Sequence, residues 1–358
     1  MTDTQASAVA ISQEELALAA RNHGFPLEAL AHDITPVGMH YLLTHYDIPN
    51  LEPSSWRLEV DGLVGRPLTL TLEDLLARPQ VTQPVTLECA GNGRVLSAPP
   101  RALSQPWLLE AVGTGEWTGT PLAPLLDEAG VSEEAVEVVF TGLDRGVEGG
   151  HEQPFQRSLT VAECRREEIL LAHSLNGVPL PPQHGAPLRL LVPGWYGMAS
   201  VKWLGRITAV AEAFTGYQQA RAYRWRSHED EPGIPLQRIA VRSLLLPPGI
   251  PEFYSRRRVL DAGAVQLTGR AWSGSGAIER VEVSADGGST WWDAEVGAAR
   301  GRHAWHRFTT TWQASAGDHL LCSRATDATG ATQPFEVAWN VGGYVNHAIH
   351  RVPVTVRG

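Results

Sequence analysis

The sequence predicts an α+β domain followed by an all-β sandwich of immunoglobulin type. Three observations predict it. The chain has 358 residues, more than one hydrophobic core usually serves. Up to about residue 238, apolar strand patterns mix with short capped helices without a regular βαβ beat. From about residue 240, six or seven short strands follow one another with turn signals between them.

Residues 1–33 read as an N-terminal arm carrying a short amphipathic helix around Glu14–Arg21. The first domain is taken as residues 34–238. Within it Trp56, Leu58 and Val60 alternate as a half-buried strand, Asp61-Gly62 turns the chain, and Leu68, Leu70 and Leu72 alternate again. Thr71-x-x-Asp74 is a capping signature for a helix that Pro79 ends. Pro121, expected at a first helical position, opens another helix that Gly130 stops, and Thr160-x-x-Glu163 starts a third. Apolar strands are expected at 136–140 and 188–192. Gly113-x-Gly115-x-x-x-Gly119 has neither the spacing nor the strand-turn-helix setting of a dinucleotide loop.

The second domain is taken as residues 239–358. Strands are expected at 265–272, 278–285, 291–296, 305–312, 319–326 and 335–341, with Asp286-Gly287-Gly288 as the clearest hairpin turn. The Pro-rich stretch 231–251 is the expected crossover between domains, and Cys322 reads as a core residue.

Composition narrows the function. A net charge of −10 argues against nucleic acid or an anionic membrane as a partner. The acid excess lies in residues 1–238, with 17 basic and 29 acidic side chains, against 12 and 10 in residues 239–358. No apolar run approaches the ~20 residues of a membrane span. Residues 1–7 lack a basic n-region and a twin arginine, so the expected location is cytoplasmic. Cys89, Cys164 and Cys322 are too dispersed for a disulfide framework or a Cys-x-x-Cys site. Lys202 is the single lysine beside 28 arginines. It is either a leftover surface residue or a site that needs a compact ammonium rather than a planar fork.

Cys89 ends the apolar run Val85-Thr-Leu87 and precedes Ala-Gly-Asn-Gly-Arg94. Glycines that allow close backbone approach, with an arginine five residues on, suit a thiolate. A small buried hydrophobe and a Cys-His nucleophile remain the other readings of the local pattern.

Glu88-Cys89-Ala-Gly-Asn-x-Arg94 resembles the molybdenum-ligating motif of the sulfite oxidase family of molybdopterin oxidoreductases. The resemblance continues in collinear order through Trp107, Gly115-Glu-Trp117, Gly142-Leu-Asp144, Leu175-Asn-Gly and His184-Gly-x-Pro-Leu-Arg189. It runs on through Val201-Lys-Trp-Leu204, Tyr223, Ala271-Trp-Ser-Gly, Asp286-Gly-Gly and Trp339-Asn340, covering roughly residues 34 to 352. It implies a molybdopterin domain and an immunoglobulin-like dimerisation domain, with one molybdenum–molybdopterin per chain and Cys89 as its protein ligand. A thiolate is a soft ligand suited to such a site. His45, Asp144, His184, Arg189, Ser200 and Lys202 are implied as cofactor contacts. Tyr223, Arg94 and Trp107 are implied to join Cys89 at the catalytic centre. Neither a haem, a flavin nor a nicotinamide module is recognised, so a separate electron carrier is expected, together with a homodimer formed through the second domain.

Two positions depart from the family pattern. Leu43 stands where sulfite-oxidising members carry an arginine two residues before His45, and Gly342 where they carry one after Trp-Asn-x. Each lost charge-assisted contact to a dianion is worth about 1.5–3 kcal/mol, so two losses weaken sulfite binding on the order of a thousandfold unless replaced. Arg21, His40, His45, Arg101 and His347 are the candidates to restore positive charge. The expected activity is oxidation of sulfite to sulfate with electrons passed to a separate acceptor. The alternative, favoured by the missing arginines, is reduction of a small S- or N-oxide.

Overall fold

The structure is a computed structural model that describes residues 11–97 and 102–358. The first domain is built on two five-stranded sheets. One has the order Leu68–Leu70, Leu58–Gly62, Leu204–Val210, Glu137–Glu148, His151–Thr160, with Leu58–Gly62 parallel to Leu204–Val210 and the other pairs antiparallel. The other runs Val81–Glu88, Val112–Pro121, Leu170–Leu175, Val178–Pro179, and Arg189–Leu191 also pairs with Leu170–Leu175.

Local chemistry explains the elements. Leu58 and Val60 face inward while Glu59 and Asp61 are more open, the period-two pattern of a half-buried strand. Ser12 with Glu15, and Thr71 with Asp74, form reciprocal capping boxes for the helices Gln13–Arg21 and Leu72–Leu76. The helix expected to open at Pro121 begins one residue later: Pro121 stays extended as the N-cap of Leu122–Ala129, because the strand Val112–Pro121 runs up to it. Gly130 ends that helix at φ 67, in the left-handed region.

The glycines of Val112–Pro121 serve packing. A Cβ at Gly119 would run into the Leu171 carbonyl oxygen, one at Gly115 into Leu175, and one at Gly113 into the His40 ring. Close approach of chain segments, rather than a phosphate, accounts for their spacing.

The second domain carries a nine-strand path, in the order Arg242–Leu245, Gly263–Trp272, His306–Ala314, Trp292–Val296, Ile278–Ser284, Gly317–Asp327, His350–Arg357, Arg258–Asp261, Ile250–Pro251. Leu267, Phe308 and Trp312 from its first half meet Val281, Leu321, Val354 and Val356 from its second in one buried core, which makes it a sandwich. One expected strand is absent: residues 335–341 are not a strand, and the terminal strand is His350–Arg357. Its inward residues Val352, Val354 and Val356 satisfy period two, whereas in the first segment the Phe335 carbonyl accepts from Arg351 Nη2 (2.9 Å) and the Val341 amide donates to the Arg226 carbonyl (2.9 Å). The expected crossover 231–251 also contains the first sandwich strand, Arg242–Leu245.

The segment read as an arm is docked over its described part. Phe25 and Leu30 are buried, Arg270 Nε donates to the Leu30 carbonyl (2.8 Å), and Trp305 Nε1 donates to the Asp33 carbonyl (2.8 Å). Leu244, Trp272 and Trp305 share a single hydrophobic cluster with the first domain, so apolar packing is continuous across the domain boundary.

Candidate active site at the cysteine loop

The strand Val81–Glu88 delivers Cys89 at its end, where the Cys89 amide donates to the Ala111 carbonyl (2.9 Å). A tight turn follows. The Asn92 amide donates to the Cys89 carbonyl (2.9 Å), and Asn92 Oδ1 accepts from the Ala111 amide (3.1 Å). Gly93 at φ 90 makes the turn possible, and the Arg94 guanidinium lies where a Cβ of residue 91 would be.

The second domain grips this loop along its length. Glu88 accepts from Arg242 Nη1 (2.6 Å) and Trp272 Nε1 (2.8 Å). The Ala90 carbonyl accepts from the Val345 amide (2.8 Å), the Gly93 carbonyl from Asn346 Nδ2 (2.9 Å), and the Gly342 carbonyl from Arg94 Nε (2.7 Å).

Cys89 is buried at the meeting point of two adjoining cavities. The inner one is lined by Cys89, His45, Asp144, His184, Arg189, Ser200, Lys202 and Tyr223 among others. These residues come from separate elements. Asp144 sits where a register shift interrupts the pairing of Glu137–Glu148 with His151–Thr160, a local irregularity that re-aims its side chain. His184 closes the turn Pro182–His184, Arg189 begins Arg189–Leu191, and Tyr223 ends the π-type turn Gln218–Ala222. Arg94 and Trp107 line the outer cavity, which Cys89, Leu43, His45 and Tyr223 share with the inner one.

Burial dominates the electrostatics. It pushes the Cys89 thiol above its ordinary range, with Arg94 pulling the other way. A thiolate here therefore needs a cation in contact with the sulfur. Burial lowers Lys202 to about 7, with Arg189 also lowering it and Asp144 opposing. Asp144 is raised to about 6 by burial, against the pull of Lys202. His184 falls to about 2 and His40 to about 4, both chiefly through burial, so both rings are neutral at pH 7. Arg189 is lowered to about 10 by burial and sits over the Trp117 ring at 4.9 Å.

Several of these groups are only partly satisfied by protein. His40 Nε2, Asp144 Oδ1 and Arg189 Nε are buried without a hydrogen-bond partner. Lys202 Nζ donates to the Leu43 (2.8 Å) and Gln183 (2.9 Å) carbonyls, which leaves one of its three protons. Ser200 plays a supporting part: its hydroxyl accepts from the Val192 amide (3.1 Å), and its carbonyl accepts from Arg189 Nη2 (3.0 Å). Buried orphan polar atoms around one cavity mark the place of a polar ligand. Among the described residues no group of three or more His, Cys, Asp or Glu could hold a metal ion, and a group that brings its own metal ligands would suit a lone Cys89. A pterin dithiolene with a phosphate tail fits both observations.

The candidates for restoring charge fare differently. Arg21 donates to the Tyr46 carbonyl (2.6 Å) and pairs with Asp47 (3.0 Å), and it lines neither cavity. His347 lines neither as well. His45 pairs with Glu148 (2.8 Å), and Arg101 lies outside the described residues. Sequence reasoning missed Tyr41 and Met198 in the inner wall, and Gln105, Glu148 and Tyr344 in the outer one. Nothing in their local pattern marks them, because each reaches the site through tertiary contact.

Comparison with known proteins places these features in a family. The family model described as "Oxidoreductase molybdopterin binding domain" matches residues 45–218, and "Mo-co oxidoreductase dimerisation domain" matches 236–357. The chain is 35% identical over 356 residues to mitochondrial sulfite oxidase of Homo sapiens, covering 92% of this chain and 63% of the relative. It is 32% identical to nitrate reductase [NAD(P)H] of Hordeum vulgare, covering 94% of this chain and 40% of that protein. The chain thus spans less than two thirds of the mammalian sulfite oxidases it matches. Among solved structures, the sulfane dehydrogenase SoxCD from Paracoccus pantotrophus superimposes with a TM-score of 0.81 at 26% identity, covering 100% of this chain and 95% of that one.

Proposed function

The chain belongs to the sulfite oxidase family of molybdopterin oxidoreductases, and on that premise we propose that it oxidises a sulfur oxyanion, with sulfite to sulfate as the reference reaction. The balance is sulfite plus water to sulfate, two protons and two electrons, the electrons leaving to a separate one-electron carrier. The observation that carries this reading is the convergence on Cys89 of a polar inner cavity with unsatisfied donors and an outer cavity holding Arg94, Trp107 and Tyr223.

When bound, the molybdenum–pterin group supplies the two-electron redox change and the transferred oxygen. The chain's residues do the rest. Cys89 binds the metal. Lys202 and Arg189 supply positive charge to the phosphate and the polar pterin edge, joined by His45, Asp144, His184 and Ser200. Arg94 draws in the anion and fixes its orientation, as a preorganised guanidinium does in a site closed to water. Tyr223 keeps its hydroxyl proton, because burial raises it well above its ordinary range, and so it acts as a hydrogen-bond donor. Trp107 packs against Cys89 and excludes water. Residues 239–358 form the homodimer contact, and the protein works in the cytoplasm, which fractionation of its native cells would check.

The test is side-by-side turnover by molybdenum-loaded protein: sulfite with ferricyanide as acceptor, and dye-linked reduction of sulfoxides, N-oxides and nitrate. Sulfite oxidation supports the proposal; no turnover of any sulfur oxyanion at millimolar concentration removes it. Reduction of an S- or N-oxide is the second reading. Leu43 and Gly342, in place of two family arginines, favour it by leaving a pocket suited to a neutral substrate.

A further inference from the structure

We propose that Tyr344 sets the substrate class of this site: a singly charged sulfur oxyanion bearing an apolar organic substituent, an alkane- or arenesulfinate, in preference to the sulfite dianion. The proposal rests on the reading of the chain as a sulfur-oxyanion oxidase and narrows it.

Tyr344 and Gly342 act as one unit. A Cβ at residue 342 would collide with the Tyr344 ring, so the ring fills the space that a longer side chain there would need. Its backbone is clamped by buried Asn340, whose Oδ1 accepts from the Tyr344 amide (2.9 Å) and whose Nδ2 donates to the Tyr344 carbonyl (2.8 Å). The ring lies over the Arg94 guanidinium at 5.0 Å and 5.6 Å from Tyr223.

Arg94 is in turn committed. Its Nε donates to the Gly342 carbonyl (2.7 Å) and its Nη1 to the Gln105 carbonyl (2.8 Å). A guanidinium held on both sides and covered on one face offers a fixed, single positive charge.

The rest of the outer cavity is ill suited to a second negative charge. Leu43, Leu103, Trp107 and Val147 contribute apolar wall, and Leu103 and Val147 remain 61% and 73% exposed. Glu148 also lines the cavity. Burial alone would raise it, but hydrogen bonds from His45, Gln218 and Tyr46 hold it below the usual carboxylate range, so it is ionised at neutral pH. Among the described residues a dianion meets one guanidinium there, and a carboxylate whose ion-pair partner is His45. A sulfinate has one charge to place on Arg94, and its substituent covers the apolar surface of Leu103 and Val147. The net conversion is R–SO2⁻ plus water to R–SO3⁻, two protons and two electrons. One S–O bond forms at the sulfur lone pair, sulfur loses two electrons, and two equivalents of a one-electron acceptor take them up.

The experiment compares kcat/KM of the molybdenum-loaded protein for sulfite, methane-, ethane-, propane- and benzenesulfinate, with ferricyanide as acceptor. The expected result is a preference for sulfinate of tenfold or more, rising about fourfold per added methylene in the short alkyl series. Calorimetric titration of the products should show propanesulfonate binding more tightly than sulfate. Combining Gly342→Arg with Tyr344→Ala should reverse both preferences, whereas Tyr344→Phe, which keeps the ring, should preserve them. Sulfite turned over as well as or better than the sulfinates by the unaltered protein overturns this proposal alone, as does a Tyr344→Phe variant that loses the preference. If protein carrying one molybdenum per chain turns over neither sulfite nor sulfinate, the oxidase reading falls and takes this one with it.

Discussion

Glu88 Oε1 and Arg242 Nη1 lie 2.6 Å apart where the two domains meet, with 2% and 3% of their side chains exposed. Trp272 Nε1 and Asn92 Nδ2 donate to the same carboxylate, so the residue before Cys89 is fixed by both domains at once. Arg242→Met would leave Glu88 buried without its ion-pair partner. It is expected to destabilise the protein by about 3–5 kcal/mol. Adding Glu88→Gln should recover part of that loss. Chemical denaturation of the single and double variants measures both, and a single variant as stable as the parent would show that the pair is not holding the interface.

Cys89→Ser should leave the fold intact and abolish turnover. The residue sits at a strand end with its backbone bonded to Ala111, an arrangement that a serine keeps. Circular dichroism and molybdenum content, read beside activity, separate the two effects. Retained sulfur-oxyanion oxidation would refute the assignment of Cys89 as the metal's protein ligand.

Lys202 gives a pH signature in the cofactor-free protein. Its folded value is about 7 and its ordinary value 10.5. Between those values the unfolded chain holds a proton that the folded chain lacks, so stability rises with pH across that window. Below about pH 7 both states hold the proton and the full penalty of burying it stands; above about 10.5 neither does. Lys202→Met should flatten the slope between pH 7 and 10 and raise stability at pH 7, measured by denaturant titration at several pH values. Binding of a phosphate-bearing cofactor at neutral pH should then take up protons, detectable by calorimetry in buffers of different ionisation enthalpy.

The charge distribution predicts the behaviour of electron acceptors. The acid excess lies in residues 1–238, within a chain of net charge −10. Rates with a cationic carrier protein should fall as ionic strength rises, and rates with anionic ferricyanide should rise. Stopped-flow reoxidation from about 10 to 200 mM salt tests this; equal salt dependence for the two acceptors would count against electrostatic steering.

Much of the framework was legible from local chemistry. The capping box at Thr71, the left-handed stop at Gly130 and the alternation of Leu58 and Val60 depend on residues a few positions apart. The strand expected at 335–341 failed because alternation is only a necessary condition. That segment forms no strand, while His350–Arg357 supplies the strand that pairs with Gly317–Asp327 on one side and Arg258–Asp261 on the other. The segment expected as an arm at 1–33 is docked over its described part, residues 11–33. Nothing local shows that Arg270 and Trp305, some 240 and 270 residues on, bond its carbonyls.

By itself the sequence determined the family, through a collinear set of motifs, and with it the choice of Cys89, Lys202, Arg189 and His184 as candidate residues. It also marked Leu43 and Gly342 as departures. Only the tertiary structure decided what surrounds those departures. It placed Tyr344 in the space beside Gly342, Glu88 on Arg242 and an unpartnered His40 nitrogen at the inner cavity. The physical reason is range. Capping, turns and alternation act over a few residues, whereas burial, orphaned polar atoms and ring-over-guanidinium contacts arise only when segments hundreds of residues apart share one solvent-excluded space.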